Sequence, residues 1–121
     1  MSPRAKPATG HARVKAAMLQ SSAQIFAALG DETRLRLIAV LCAGSAMSIA
    51  QLTAGTEITR QSVTQHLQVL ANAGLVRDIK VGRERLWAFE PAHLDEARCA
   101  LEAISQQWDQ ALLRLKAVVE E

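Results

Sequence analysis

Thr59-Arg60-Gln61-Ser62-Val63-Thr64-Gln65-His66-Leu67-Gln68-Val69-Leu70, running on to Ala73-Gly74-Leu75-Val76, is the stretch whose reading decides the fold. Thr59 is of the type that caps a helix N-terminus, and Gly74 has the place of the glycine that ends one, so a helix is predicted over 59–73. At about 100° per residue, Val63, Leu67 and Leu70 share one narrow face and must look into a core. The other side carries Gln61, Gln65, Gln68 and Asn72, with Thr64 on the flank and Arg60 and Ser62 in the first turn. No carboxylate stands on that side. Such a face matches double-stranded DNA: Gln can bond adenine in a bidentate way, Arg guanine, and Ser or Thr bases or phosphates, while the helix N-terminus offers free N–H groups to a phosphate. A merely solvated surface can have the same composition, so the flanking segments must decide.

Upstream, Ser48 can cap a short helix over 49–54 in which Ile49 and Leu52 point the same way, and Gly55-Thr56-Glu57-Ile58 makes a tight connection to the longer helix. A short helix, a turn and a second helix is the arrangement that sets a recognition helix in the DNA major groove. Downstream the period falls to two. Residues 75–81 and 84–89 are rich in β-branched, aromatic and alternating residues, and Gly82-Arg83 between them suits a type II′ hairpin. In that register Val81 faces Glu84, Ile79 faces Leu86 and Val76 faces Phe89. Lys80, Arg83 and Arg85 then gather at the tip, a basic finger beside the recognition helix that can reach phosphates or the neighbouring minor groove.

Further upstream, a helical period sets in at Ala12 and carries Val14, Met18, Ser22, Ile25 and Leu29 to Gly30. Asp31 can cap a second helix whose apolar stripe is expected to be Leu35, Ile38, Leu41 and Cys42, ending at Gly44. Residues 1–11, with Pro3, Pro7, Gly10 and basic residues, are expected to form a disordered arm, and residues 12–121 one domain. At the other end Pro91 can open a helix that runs without Gly or Pro to about Val119. The expected fold is mainly α with one β-hairpin wing.

Phe26-Ala27-Ala28-Leu29-Gly30-Asp31-Glu32-Thr33-Arg34-Leu35 resembles the opening signature of the ArsR family of winged helix-turn-helix regulators. The segments Thr59–Leu70 and Ala73–Val76 resemble that family's recognition helix and its exit, and Val81-Gly82-Arg83 before Leu86-Trp87 looks like its wing. The match covers roughly residues 20–118. One departure is Glu57, at a turn position where Gly is common, with Gly55 two residues earlier. The resemblance implies a homodimeric, sequence-specific repressor that reads a pseudo-palindromic operator with helix 59–73 and wing 75–89. The residues expected at DNA are Arg60, Gln61, Ser62, Thr64, Gln65, Gln68, Lys80, Arg83 and Arg85.

Charge fits this reading once it is divided by region. The net charge is +2, but residues 1–15 carry +4, residues 59–85 carry +3, and residues 90–121 carry −4. A basic tail and middle with an acidic end suggest that a polyanion faces one side. In the last helix Leu94, Leu101, Trp108 and Leu115 recur every seven residues, with Ala97, Ile104, Ala111 and Val118 three after each. Such a seam is more than one small domain readily buries. Either it packs on the chain's own first helix, or a second copy covers it. The second is expected, as the resemblance implies, with Met18, Ile25, Leu94, Leu101, Ile104, Trp108 and Leu115 at the interface.

Composition excludes much else. Of 121 residues, 22 are Ala and 15 Leu, and four are aromatic, too few for an aromatic-lined carbohydrate site or a stacking platform. The longest apolar run, Leu37 to Ala43, is seven residues, against about 20 for a membrane span, and no secretory signal is apparent, so the cytoplasm is the expected location. Neither a nucleophile, His and carboxylate set nor a Gly-rich phosphate loop is present, and no enzyme is expected.

Many members of the ArsR family are released from DNA by a metal or metalloid. Their Cys-Val-Cys site is missing, since Ser45-Ala46-Met47-Ser48-Ile49 occupies that region, and their spaced Asp and His residues on the last helix are not reproduced. His93, Glu96 and Cys99 share one helix face but have no second set of ligands, so neither a metal nor another cofactor is expected. Cys42 and Cys99 are expected to be buried and inert, the alternative being a thiol switch of the kind some relatives resembling this chain use. The partners expected are duplex DNA, a second copy of the chain and an effector the sequence does not identify. A winged-helix adaptor that binds protein instead of DNA is the rival from another class.

Overall fold

Three of the helices begin where short polar side chains accept a bond from the first turn. Asp31 accepts from the amide of Arg34, Ser48 from Gln51 and Thr59 from Ser62, and Gln51 returns a bond to the Ser48 amide to complete a capping box. In the computed structural model, which describes residues 16–120, the order is α1 (Ala16–Leu29), α2 (Glu32–Ala43), α3 (Ile49–Thr53), α4 (Arg60–Asn72), β1 (Val76–Val81), β2 (Glu84–Phe89) and α5 (Pro91–Glu120). The basic arm 1–11 and Val14 lie outside the described residues. Gly74 ends α4 with φ +78°, and the amides of Gly74 and Leu75 return to the carbonyls of Ala71 and Leu70, both at 2.9 Å. That pair of bonds is a Schellman motif, for which a left-handed residue is needed.

The hairpin has the register expected from its turn: Val76 pairs with Phe89, Ile79 with Leu86 and Val81 with Glu84. Gly82 has φ +62°, and among the described residues no side-chain-bearing residue has positive φ. Arg83 therefore has negative φ, and with glycine first the turn is of the II′ type rather than I′. A third strand-like contact was not anticipated. Met47, between α2 and α3, exchanges both backbone bonds with Trp87 at 2.9 and 2.7 Å, which ties the base of the wing to the start of the helix-turn-helix.

One core joins all of these elements. Ile25 and Ala28 of α1, Leu37, Ile38 and Leu41 of α2, Leu52 of α3, Val63, Leu67 and Leu70 of α4, Val76 and Trp87 of the hairpin, and Ala97 of α5 are buried together. Two expectations need correction. The α2 stripe is Leu37, Ile38 and Leu41, with Leu35 51% exposed and Cys42 also outside. Counted at about 100° per residue, Leu35 and Cys42 lie roughly a quarter turn or more from the centre of the buried face. Cys99 is likewise exposed, so neither thiol is a buried one.

The seam residues divide. Ile25 is 1% exposed within its own chain, so it belongs to the core and has no surface for a partner, and Ala97 and Leu94 also pack inward. Met18 is half-buried. From Leu101 onward the stripe is open to solvent, with Leu101, Ile104, Trp108, Leu115 and Val118 exposed. α5 packs on α1, and its buried residues are Ala97 and Ala100. Among the described residues no helix is long and apolar enough to cross a membrane.

Candidate nucleic-acid interface

Burial of Val63, Leu67 and Leu70 fixes which way α4 turns its other side. Arg60, Gln61, Thr64, Gln65 and Gln68 are exposed as expected, and Ser62 is half-buried against its cap. No residue of α4 is a carboxylate, so no side chain of the helix itself repels a phosphate. The Thr59 cap uses the Ser62 amide, and the Val63 amide returns to the Thr59 carbonyl at 3.0 Å. The amides of Arg60 and Gln61 remain at the helix tip, pointing along the positive end of the helix dipole.

Some of these groups already have partners. The Thr64 hydroxyl donates to the Arg60 carbonyl at 2.8 Å, leaving its lone pairs to accept, and the Gln68 amide donates to Asn72 Oδ1 at 3.3 Å. Gln61 and Gln65 stand one turn apart on the exposed side of α4.

The turn before α4 accommodates the Glu57 departure. Gly55 takes φ +77° with open space around it, so the left-handed step falls there and Glu57 needs none.

On the wing, Lys80 and Arg85 are a cross-strand pair and share one face, and Arg83 occupies the turn. Arg85 also binds Asp78 at 2.9 Å, which neutralises one of the three cations, while Arg77 binds Glu90 at 3.1 Å below the tip. The basic finger is therefore carried chiefly by Lys80 and Arg83.

One residue at the base of this surface was not singled out from sequence. Arg34, in the first turn of α2, bonds the Ala28 carbonyl of α1 and lies 3.2 Å from Nδ1 of His66 on α4. Its backbone amide holds the Asp31 carboxyl below the ordinary aspartate value, with a smaller contribution from His66. The available signal was the Asp31 to Arg34 capping spacing, but no local pattern announces a contact 32 residues away.

Among the described residues no group of three or more His, Cys, Asp or Glu side chains converges as a metal site would require. His93 instead lies against Gly74, where an added Cβ would come within 2.9 Å of its Nδ1. Partial desolvation pushes the Cys42 thiol above its ordinary value.

A helix-turn-helix domain family matches residues 29–79, the span from the end of α1 to the middle of the wing. An HTH-type transcriptional regulator of Mycobacterium tuberculosis, Rv2034, is 33% identical over 85 residues, covering 70% of this chain and 76% of that protein. Among solved structures, an ArsR-like transcriptional regulator from Rhodococcus sp. RHA1 superposes with TM-score 0.73 at 34% identity, over 84% of this chain and 95% of that one. The homodimeric winged helix-turn-helix DNA-binding domain of Mb0332 from Mycobacterium bovis superposes with TM-score 0.58 at 26% identity, over 80% of this chain and 86% of that one.

Proposed function

Since the chain belongs to the ArsR family of winged helix-turn-helix transcriptional regulators, a family of DNA-binding proteins and not of enzymes, we propose that it is a homodimeric repressor of a pseudo-palindromic operator. The observation that carries this reading is the exposed, acid-free polar face of α4 lying beside a wing whose Lys80 and Arg83 have no ion pair among the described residues. Gln61 and Gln65 read bases, Arg60, Ser62 and Thr64 contact phosphate or base edges, and the wing tip supplies sequence-independent attraction. The exposed stripe Leu101, Ile104, Trp108 and Leu115, with Met18, pairs with a second copy. A two-fold axis then sets two α4 helices about one helical turn of DNA apart, or a multiple of it. Repression follows from occupancy, because a dimer seated on a promoter covers DNA that a polymerase needs. Such work belongs where the DNA is, in the cytoplasm.

Selection of bound duplexes from a random pool, followed by a salt titration on the winner, tests this. Affinity should fall steeply with salt, with a logarithmic slope near −0.9 for each phosphate neutralised. Arg83→Ala should weaken every sequence and flatten the slope, whereas Gln65→Ala should cost about 1–3 kcal/mol on the selected site alone. Flat salt dependence or no preferred sequence would overturn the reading in favour of a protein-binding adaptor.

A thiol switch in the same regulator has the exposure of Cys42 and Cys99 in its favour. The upward push on the Cys42 thiol counts against it, since less thiolate means slower oxidation. Free-thiol counts and DNA affinity before and after oxidation decide the matter: no change in either removes the switch.

A further inference from the structure

The Arg34 guanidinium stands where three helices meet. Its Nε donates to the Ala28 carbonyl, one of the last-turn carbonyls of α1 that the helix itself leaves unpaired. A cation there also meets the negative end of the α1 dipole. Its Nη1 lies 3.2 Å from His66 Nδ1 on α4, and its backbone amide binds Asp31, the α2 cap, at 3.1 Å. Arginine has donors only, so Nδ1 of His66 must be the acceptor, which puts the proton of the neutral ring on Nε2. The imidazole is 22% exposed, and Asp31 also faces it, with Oδ2 3.9 Å from Nδ1.

The core contacts of α4 and this bond constrain different things. Val63, Leu67 and Leu70 are held by close apolar packing, which fixes the depth and most of the orientation of the helix but, being non-directional, opposes a small residual roll less sharply than a directional bond does. A hydrogen bond weakens steeply with angle, so it resists that roll. His66 directly follows Gln65, and any roll of α4 about its axis swings Gln61 and Gln65 with it.

We infer that Arg34 and His66 are positioning residues that lock the rotation of the recognition helix against α1, and that the pair thereby sets the half-site spacing the dimer accepts. This rests on the proposed DNA-reading role of α4 and on the place of α1 at the dimer seam. Neither side chain needs to touch a base.

The experiment uses the full chain with three duplexes: the operator selected from a random pool, the same half-sites with the spacer changed by one base pair, and a random sequence. His66→Phe keeps a ring and removes the acceptor. It should lower the preference for the native spacing by about tenfold, while affinity for random duplex and its salt slope stay as they are. Arg34→Met should do the same, and the double variant should lose no more than either single one, as expected for one shared interaction. Should Arg34→Met fail to fold, Arg34→Lys keeps a cation at the end of α1 and removes the fork. A spacing preference unchanged in folded His66→Phe would overturn the inference. Nitrogen NMR of the wild-type imidazole gives a second reading independent of DNA: an unprotonated Nδ1 with the proton on Nε2 is expected, and a neutral ring protonated at Nδ1 would overturn the lock. A wild-type protein with no sequence preference defeats the DNA-reading proposal itself, which distinguishes that failure from this one.

Discussion

In α4 the apolar face of Val63, Leu67 and Leu70 is wholly covered by the rest of the chain, whereas in α5 the apolar stripe is covered only as far as Ala100 and stands open from Leu101 to Val119. Length explains the difference. At about 1.5 Å per residue, the 13 residues of α4 span roughly 20 Å, within the reach of a small domain, and the 30 residues of α5 span roughly 45 Å, beyond it. Periodicity tells which side chains of a helix share a face, but whether anything covers that face depends on the remainder of the chain. For α4 the cover is internal, and for the far half of α5 the proposed dimer supplies it from a second copy.

The largest test is to remove cover from α4. Leu70 is fully buried, so Leu70→Ala should destabilise the protein by about 2–5 kcal/mol, measured as a lower midpoint in denaturant with little change in slope. A loss under about 1 kcal/mol would mean that α4 is not the central element of the core.

The corresponding change in α5 acts on association rather than on folding. Trp108 is 64% exposed and sits at a repeat position of the stripe, so Trp108→Asp should leave a folded chain but dissociate the dimer in sedimentation. Loss of a central aromatic anchor costs about 2 kcal/mol or more, some thirtyfold in the dimer constant. In this variant the amides beyond Ala100 should exchange quickly and those of α4 slowly. A variant still dimeric, or protection continuing to Leu115, would erase the contrast between the two helices.

The two helices meet at Gly74, just beyond α4, where His93 of α5 approaches. Gly74→Ala must strain a residue at φ +78° and bring a Cβ within 2.9 Å of the imidazole, so a loss of about 1–3 kcal/mol is expected. Adding His93→Ala should recover the steric part and leave the backbone part. Full recovery would show that the left-handed turn itself costs nothing, against the Schellman geometry.

Which of these features the sequence revealed follows from how local they are. The caps at Asp31, Ser48 and Thr59, the C′ role of Gly74 and the Val76 to Phe89 register are each decided within a few residues, and all were legible. The phase of α2 was not, because the run Leu37 to Ala43 is apolar on every side and leaves Leu35 and Leu37 equal claims to the core. The heptads of α5 were visible, but not the point at which burial within the chain ends, nor that Ile25 belongs to the interior. Met47 pairing with Trp87, and Arg34 reaching His66, join segments 40 and 32 residues apart and could be seen only once the chain was folded.

The smallest effect concerns the charges that accompany the open stripe. Arg98 binds Asp95 at 2.8 Å and Glu102 at 3.1 Å, and these partners, Asp95 foremost, hold its pKa above the ordinary arginine value. All three side chains are more than half exposed, where water and salt screen an ion pair and the cost of ordering long side chains offsets most of the attraction. Arg98→Ala should therefore leave the melting temperature and the dimer constant within error of the wild type at physiological salt. The outcome matters because the open half of α5 has two candidate sources of order where it begins, the ion pair that ties Glu102 back to Arg98 and the apolar stripe. If Arg98→Ala loosens the dimer as far as Trp108→Asp does, the charges hold this half of the helix, and the stripe is a passive consequence of its composition. If only Trp108→Asp does so, the open half of α5 needs apolar cover just as α4 does, and takes it from a second chain.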